Sequence, residues 1–458
     1  MQGLGFSLRK YIAIVAVIIV LIMTVLDVSL MNVALPVIAD DFGITESVSV
    51  WLVTVYQLVI VMLLLPFSAI GDNYSYKKMF LAGVGVFTAG SALCAMSGGF
   101  VMLLLSRGIQ ALGGAGVMSV NIALIRVIYP RHLLPRGLAL NAMCIAVATA
   151  LGPSLAGWIM SVSSWHWLFL INLPLGVIAF LIGMRTLPVN PVKYKDKRID
   201  FLAIAMNIAF FGALFYSLGH ISHSEDIVLS ILIFIFALGV GLFYVKRQAR
   251  SDKPMLPVDL FKIRLYALSI GTSVCSFIAQ NLIIISLPFL LLTGLHLSEL
   301  TTGLVMTPWP VTTMIISPIA ARLIDKINPG FIAASGMLIF IAGLILLLTM
   351  PENVSVGGLL WRMSVCGVGF GFYQTPNNVV MVMATPVERT GAAGGMQSTA
   401  RLTGQTMGST LVSVIFSLVI SIMISVKICI GIAIGFAAVA CYFSLDRGLQ
   451  IKKKNINL

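Results

Sequence analysis

Charge is what this chain lacks. Asp, Glu, Lys and Arg make up 10% of its 458 residues, apolar residues make up 59%, and mean hydropathy is +1.04. A soluble core needs a polar shell, so this balance excludes a soluble globular protein and indicates a membrane one. Acid is scarcer than base, with 16 Asp and Glu against 29 Lys and Arg. Only Asp27 lies well inside an apolar stretch. The six cysteines, Cys94, Cys144, Cys275, Cys366, Cys429 and Cys441, all fall within apolar segments rather than in loops. A disulfide framework or a zinc site is therefore not expected. The five histidines, His132, His166, His220, His223 and His296, sit in or beside expected loops without ligand spacing, so no metal, haem or other cofactor is implied. Long polar segments are also missing. With no basic soluble domain to carry it, the net charge of +13 does not indicate nucleic-acid binding. Clustered acids, histidines or a phosphate cradle at one membrane face, which an embedded transferase would need, are absent too, and an enzyme is not expected.

What is present is a succession of apolar runs of about twenty residues, enough for a helix to cross about 30 Å of hydrocarbon. They fall near 11–34, 50–70, 79–97, 101–125, 137–160, 166–187, 201–219, 227–245, 265–292, 301–321, 331–349, 357–384, 392–420 and 427–445. An all-α membrane protein with about fourteen crossings follows. The first run, after Arg9 and Lys10, is too long for a signal peptide and lacks a small-residue cleavage pattern, so it is read as a retained span. With this topology, all but four of the 29 basic residues fall on the side of the termini. Lys427 is the exception outside, while Arg107, Arg362 and Arg401 lie in spans. By the positive-inside rule both termini are cytoplasmic. The basic tail Lys452, Lys453, Lys454 reads first as a solvated end, with contact to anionic lipid as the alternative.

The halves echo each other. Gly71, Asp72, Lys77 and Lys78 after the second run are answered by Arg322, Asp325, Lys326 and Gly330 after the tenth; Arg107, Gly113, Gly114 and Gly116 are answered by Arg362, Gly367, Gly369 and Gly371. Internal repetition of this kind marks transporters built from related bundles. The register places a six-helix bundle in 1–190, two additional central helices with cytoplasmic linkers in 191–262 and a second six-helix bundle in 263–458.

These residues resemble the major facilitator superfamily and, within it, the fourteen-span drug:proton antiporters, over essentially the whole chain. Leu26, Asp27, Asn32, Ala34, Leu35 and Pro36 look like that family's first-helix motif, with Trp51 and Tyr56 at the usual distance after it. Trp165, Trp167, Phe169, Asn172 and Pro174 are similarly diagnostic. The stretches Gly369 to Asn378 and Gly391 to Gln405 match short members. The resemblance implies a proton-coupled antiporter exporting lipophilic, cationic drugs or toxic compounds across a bacterial inner membrane, working as a monomer, with the proton as coupling ion. A metabolite, peptide or lipid exporter on the same fold is the alternative.

Site residues follow from the motifs. A charged group at bilayer depth costs at least about 2.5 kcal/mol on insertion scales, which makes Asp27 the proton-carrying candidate in a cavity, binding proton or cargo in turn. A structural Asp bonded to the backbone or to Asn32 about one turn on is the competing reading. The resemblance gives Arg107 a part in proton transfer, with Gln110 on the same helix face; snorkelling to the surface is its alternative. Arg362 invites the same reading. Gly152, Pro153 and Gly157 are similar to the antiporter motif, with Ala148 and Ala156 where Gly is usual. A kink beside small residues suits a seal between bundles. Asp72, Lys77, Lys78 and, in the second half, Asp325 correspond to a conformational latch, although Ser68, Asn73, Ser75 and Tyr76 depart from the pattern. For cargo, Asn32, Tyr56, Gln57, Gln280, Asn281, Gln374, Asn377 and Asn378 are the polar candidates within apolar spans.

Overall fold

A computed structural model describes residues 8–130, 133–188, 200–220, 227–251, 254–351, 354–386 and 390–453. Helix dominates because backbone polar groups in hydrocarbon must be satisfied within their own segment. The first set comprises α1 (Leu8–Phe42), short α2 (Glu46–Ser49) leading into α3 (Trp51–Asn73), α4 (Tyr76–Ala95), α5 (Phe100–Ile128), α6 (Leu134–Val162), and α7 (Trp167–Leu170) leading into α8 (Asn172–Thr186). Then come α9 (Phe201–His220) and α10 (Ile227–Ala249). The last set is α11 (Arg264–Phe289), α12 (Glu299–Met306) leading into α13 (Pro308–Leu323), α14 (Pro329–Leu348), α15 (Val356–Met383), α16 (Thr390–Leu418) and α17 (Ile422–Lys453).

Among the described residues, twelve helical segments are long and apolar enough to cross a bilayer. The expected fourteen would also need α15 and α16, which have 28 and 29 residues but are richer in glycine and polar side chains. Hydroxyl and amide caps set the helix starts. Ser75 accepts from Lys78 N, Ser298 from Thr301 N, Asn328 from Gly330 N and Ser355 from Gly358 N. Pro288 lies inside α11, which ends in a π turn at Leu290–Gly294.

Glycine sets the closest approaches, and at two of them the repeat becomes physical. A Cβ added at Gly113 of α5 would lie 2.2 Å from the Phe87 nitrogen of α4 and close to the Gly83 carbonyl. In the second set a Cβ at Gly369 of α15 would lie 2.3 Å from the Phe340 nitrogen of α14 and close to the Gly336 carbonyl. The same backbone contact thus holds the third and fourth long helices of each set together.

Helix ends define two sides. Ile451 of α17 packs with Leu265 at the start of α11, and Gly395 near the start of α16 faces Leu65 toward the end of α3. Both ends of the described chain therefore lie on one side, here called the terminal side. The two sets meet through α6 with α12 and α13, through α2 and α3 with α16, and through α1 with α11. The α9–α10 pair stands outside both: α9 leans on α3 and α16, and α10 packs mainly on α9.

Candidate functional site

Asp27 of α1 lies inside the first set and is 2% exposed. Its carboxylate accepts from Arg107 Nη1 at 2.5 Å, Gln110 Nε2 at 2.7 Å and Asn172 Nδ2 at 3.2 Å. Gln110 also accepts from Arg107 Nη1 at 2.6 Å and donates to Ser91 Oγ at 2.8 Å. Arg107 Nε donates to the Leu52 carbonyl, and the guanidinium lies 4.3 Å from the centre of the Tyr56 ring. One acid thus gathers side chains from α1, α4, α5 and α8 over an aromatic floor from α3. Helical spacing explains the pairing on α5, since Arg107 and Gln110 at i and i+3 share a face.

Chemically this is a neutral, desolvated ion pair with its acceptors filled. Leaving one charge of such a pair alone costs about 3–5 kcal/mol. The two charges are therefore held together, and separating them requires the helices that carry them to move. Two sequence expectations change here. Asp27, expected in a cavity, is here 2% exposed with its carboxylate bonded to three neighbouring side chains. Asn32 is not its partner: it is buried with an Oδ1 that accepts no hydrogen bond. Asn172, a direct donor, was visible only as part of a motif and had not been singled out.

A second buried polar cluster joins the candidate Asn377 to Arg447, which the sequence did not single out. Arg447 of α17 is 0% exposed. Its Nη1 donates to Ser269 Oγ of α11 at 2.9 Å and to Asn377 Oδ1 of α15, while Nε and Nη2 have no hydrogen-bond partner. Asn377 itself donates to Ser273 Oγ at 2.9 Å. The sequence reading ended the last span at 445, which left Arg447 on the surface; α17 continues to Lys453 and carries it into the bundle.

Away from the terminal side the two sets approach closely. A Cβ on Gly157 of α6 would lie 2.4 Å from the Glu299 carbonyl of α12, and one on Gly303 would lie 2.3 Å from the Pro153 carbonyl. Beside them Ser154 and Thr307 hydroxyls meet at 2.6 Å. On the other flank Ser47 Oγ donates to the Ser413 carbonyl at 2.7 Å, and Ser413 Oγ donates to the Ser47 carbonyl at 2.9 Å. Small residues let the backbones touch, and hydroxyls close the seam.

A family model described as "Major Facilitator Superfamily" matches residues 17–409. The chain belongs to the major facilitator superfamily. It is 45% identical over 398 residues to "Uncharacterized transporter YebQ" of Escherichia coli (strain K12), covering 87% of each chain. It is 26% identical to "Riboflavin transporter RibZ" of Clostridioides difficile (strain 630), covering 86% of this chain and 85% of that one. With "Multidrug efflux pump LfrA" of Mycolicibacterium smegmatis it shares 27% identity, covering 86% and 78%. A solved POT family transporter in complex with a thioalcohol-conjugated peptide shares the fold at TM-score 0.70 and 16% identity, covering 97% and 96%. The protein is a multi-pass membrane transporter.

Within this facilitator fold the remaining candidates separate. Gly152 packs inside the first set, where a Cβ would lie 2.3 Å from Ser29 Cβ, whereas Pro153 and Gly157 lie on the seam between sets. Asp72 accepts from Tyr76 at 2.7 Å and Lys77 donates to the Met184 carbonyl at 2.7 Å, so both bond within their own set. Asp325 and Lys78 are exposed. Arg362 is not a second Arg107: it donates to the carbonyls of Leu346 and Gly358 near helix ends. Of the cargo candidates, Tyr56 packs on Arg107 and Asn377 accepts from Arg447. Gln57 accepts from Ser409 at 3.2 Å across the sets, and Asn281 donates to the Gln405 carbonyl at 2.6 Å. Gln280, Gln374 and Asn378 are half-buried. Gln374 and Asn378 follow Gly367 and Gly371 along the stripe of α15 that faces α13.

Proposed function

We propose that this transporter is a proton-coupled antiporter that exports lipophilic small molecules across a bacterial inner membrane. The chain crosses fourteen times, α15 and α16 included, with the terminal side in the cytoplasm. The observation carrying this reading is the buried Asp27–Arg107 pair with Gln110 and Asn172 around it. Its opening upon protonation would move α1 and α5 against each other and so bias the two sets toward a different arrangement. The seam at Gly157 and Gly303 closes the outer side in this state, leaving cargo to enter from the cytoplasm. The multidrug pump among the relatives agrees with export.

The expected cationic cargo needs revision. Asp27 is spent on Arg107, while Arg447 and half-buried Arg401 lie inside the second set, each with unpartnered guanidinium nitrogen. Among the described residues the interior thus offers a cation no free carboxylate, and uncharged or acidic amphiphiles suit it better. Proton and cargo then use separate places rather than alternating on Asp27. A metabolite cargo is the second reading, favoured by the riboflavin transporter among the relatives.

The test is Asp27→Asn in proteoliposomes under an imposed pH gradient. Gradient-driven export should fall to background while cargo binding in detergent persists, and Asp27→Glu should restore part of the transport. Undiminished gradient-driven export by Asp27→Asn would remove the proposal. Competition between riboflavin and drug-like dyes in the same vesicles separates the two cargo readings.

A further inference from the structure

The two additional helices have no part in the transport cycle described above, yet they carry a built surface. Between α9 and α10 runs a groove of about 460 Å³, lined by Ala205, Met206, Ala209, Phe236, Gly239, Val240 and Phe243. Every lining residue is apolar. Small residues form its floor and two phenylalanines its rim; Phe236 and Phe243 are 59% and 57% exposed. On α10 the lining residues recur at i, i+3, i+4 and i+7, which makes them one stripe. The next positions on that stripe, toward the terminal side, are Lys246, Arg247 and Arg250.

Those three basic residues are not equivalent. Arg247 forms an ion pair with Asp200 at the start of α9, tying the two helices together at this end. Its hydrogen bond holds the Asp200 carboxyl below the usual carboxylate range, so the pair stays ionised at neutral pH. Lys246 and Arg250 are exposed beside it. Tyr244 packs with the groove residues Met206 and Val240, is 2% exposed, and its hydroxyl has no hydrogen-bond partner.

We propose that this groove binds an anionic phospholipid, with an acyl chain along Ala205, Ala209 and Gly239 and the phosphate at Lys246 and Arg250. Charge complementarity selects this occupant: an apolar slot that continues into exposed Lys246 and Arg250, which have no ion pair among the described residues, matches a lipid with a negative head group. A second copy of the chain would instead bring like charges together. The α9–α10 pair then acts as a lipid-anchored outrigger beside the α3–α16 contact.

Native mass spectrometry of the full chain, released from vesicles of phosphatidylcholine with and without phosphatidylglycerol, tests this. Wild type should retain phosphatidylglycerol in preference to phosphatidylcholine. Lys246→Gln with Arg250→Gln should weaken that preference by about fivefold per charge, the usual contribution of a basic residue near anionic lipid. Gly239→Phe, which fills the slot, should lower retention of both lipids. Equal retention of the two lipids by wild type, or a preference unchanged in the double variant, would overturn the proposal. So would a dimer abolished by Gly239→Phe, which would make a second copy the occupant. Thermal unfolding of each variant near the wild-type midpoint keeps loss of fold from being mistaken for loss of lipid.

Discussion

Asp27 and Arg447 show the two ways a charge is carried inside this protein. The first is matched by a counter-charge and two amides; the second is held by neutral oxygens alone. The consequences for substitution differ. Arg107→Gln leaves the Asp27 carboxylate buried without its cation and should destabilise the protein by about 3–5 kcal/mol, whereas Asp27→Asn with Arg107→Gln removes both charges and should recover much of that loss. A double-mutant cycle by thermal or denaturant unfolding in detergent checks this; additive single effects would contradict a coupled pair. For Arg447, Asn377→Ala removes an acceptor from a guanidinium already short of partners and should cost about 1–3 kcal/mol. Arg447→Met in that background should restore stability by taking the unmatched charge away, measured by the same melts. Sequence made Asp27 conspicuous because an acid amid apolar residues has few structural excuses. Arg447 escaped notice because it follows Asp446 near the chain's end, and only the length of α17 reveals that its neighbours are in the bundle.

Between elements, the decisive contacts are those in which a missing side chain lets backbones meet. Gly152, Pro153 and Gly157 were legible as a group from their resemblance to a family motif, but their division was not. Gly152 serves α1 within one set, whereas Gly157 and Pro153 serve α12 across the seam, and which neighbour a glycine meets depends on tertiary geometry. The partner Gly303 carried no signal of its own. Gly157→Val and Gly303→Val should each prevent the seam from closing and abolish transport while both sets remain folded. The readout is transport beside an unchanged melting profile; full activity would show that the seam does not need this approach. On the opposite flank, Ser47→Cys with Ser413→Cys should cross-link under oxidation, since the two hydroxyls lie 3.2 Å apart. Export should stop when the bridge forms and return on reduction. Export unaffected by a formed bridge would mean that this flank does not open during the cycle.

For the whole molecule, sequence revealed the repeat and the terminal-side excess of base, while the charge of the cargo depended on what Asp27 touches. Voltage reads that charge directly. If one proton enters for each uncharged molecule leaving, one positive charge moves inward per cycle, and 100 mV contributes about 2.3 kcal/mol, or roughly a 50-fold cargo gradient. A monovalent cation exchanged for one proton moves no net charge and would not respond. An acid exported as its anion moves two charges and would respond about twice as steeply on the free-energy scale. Vesicles clamped at potassium diffusion potentials, with the pH equal on both sides, distinguish these cases from the slope of cargo accumulation against voltage. With no unpaired carboxylate inside the sets among the described residues and two arginines short of acceptors, a non-zero slope is expected; export indifferent to voltage would reinstate the cation and require Asp27 to release Arg107 in order to bind it.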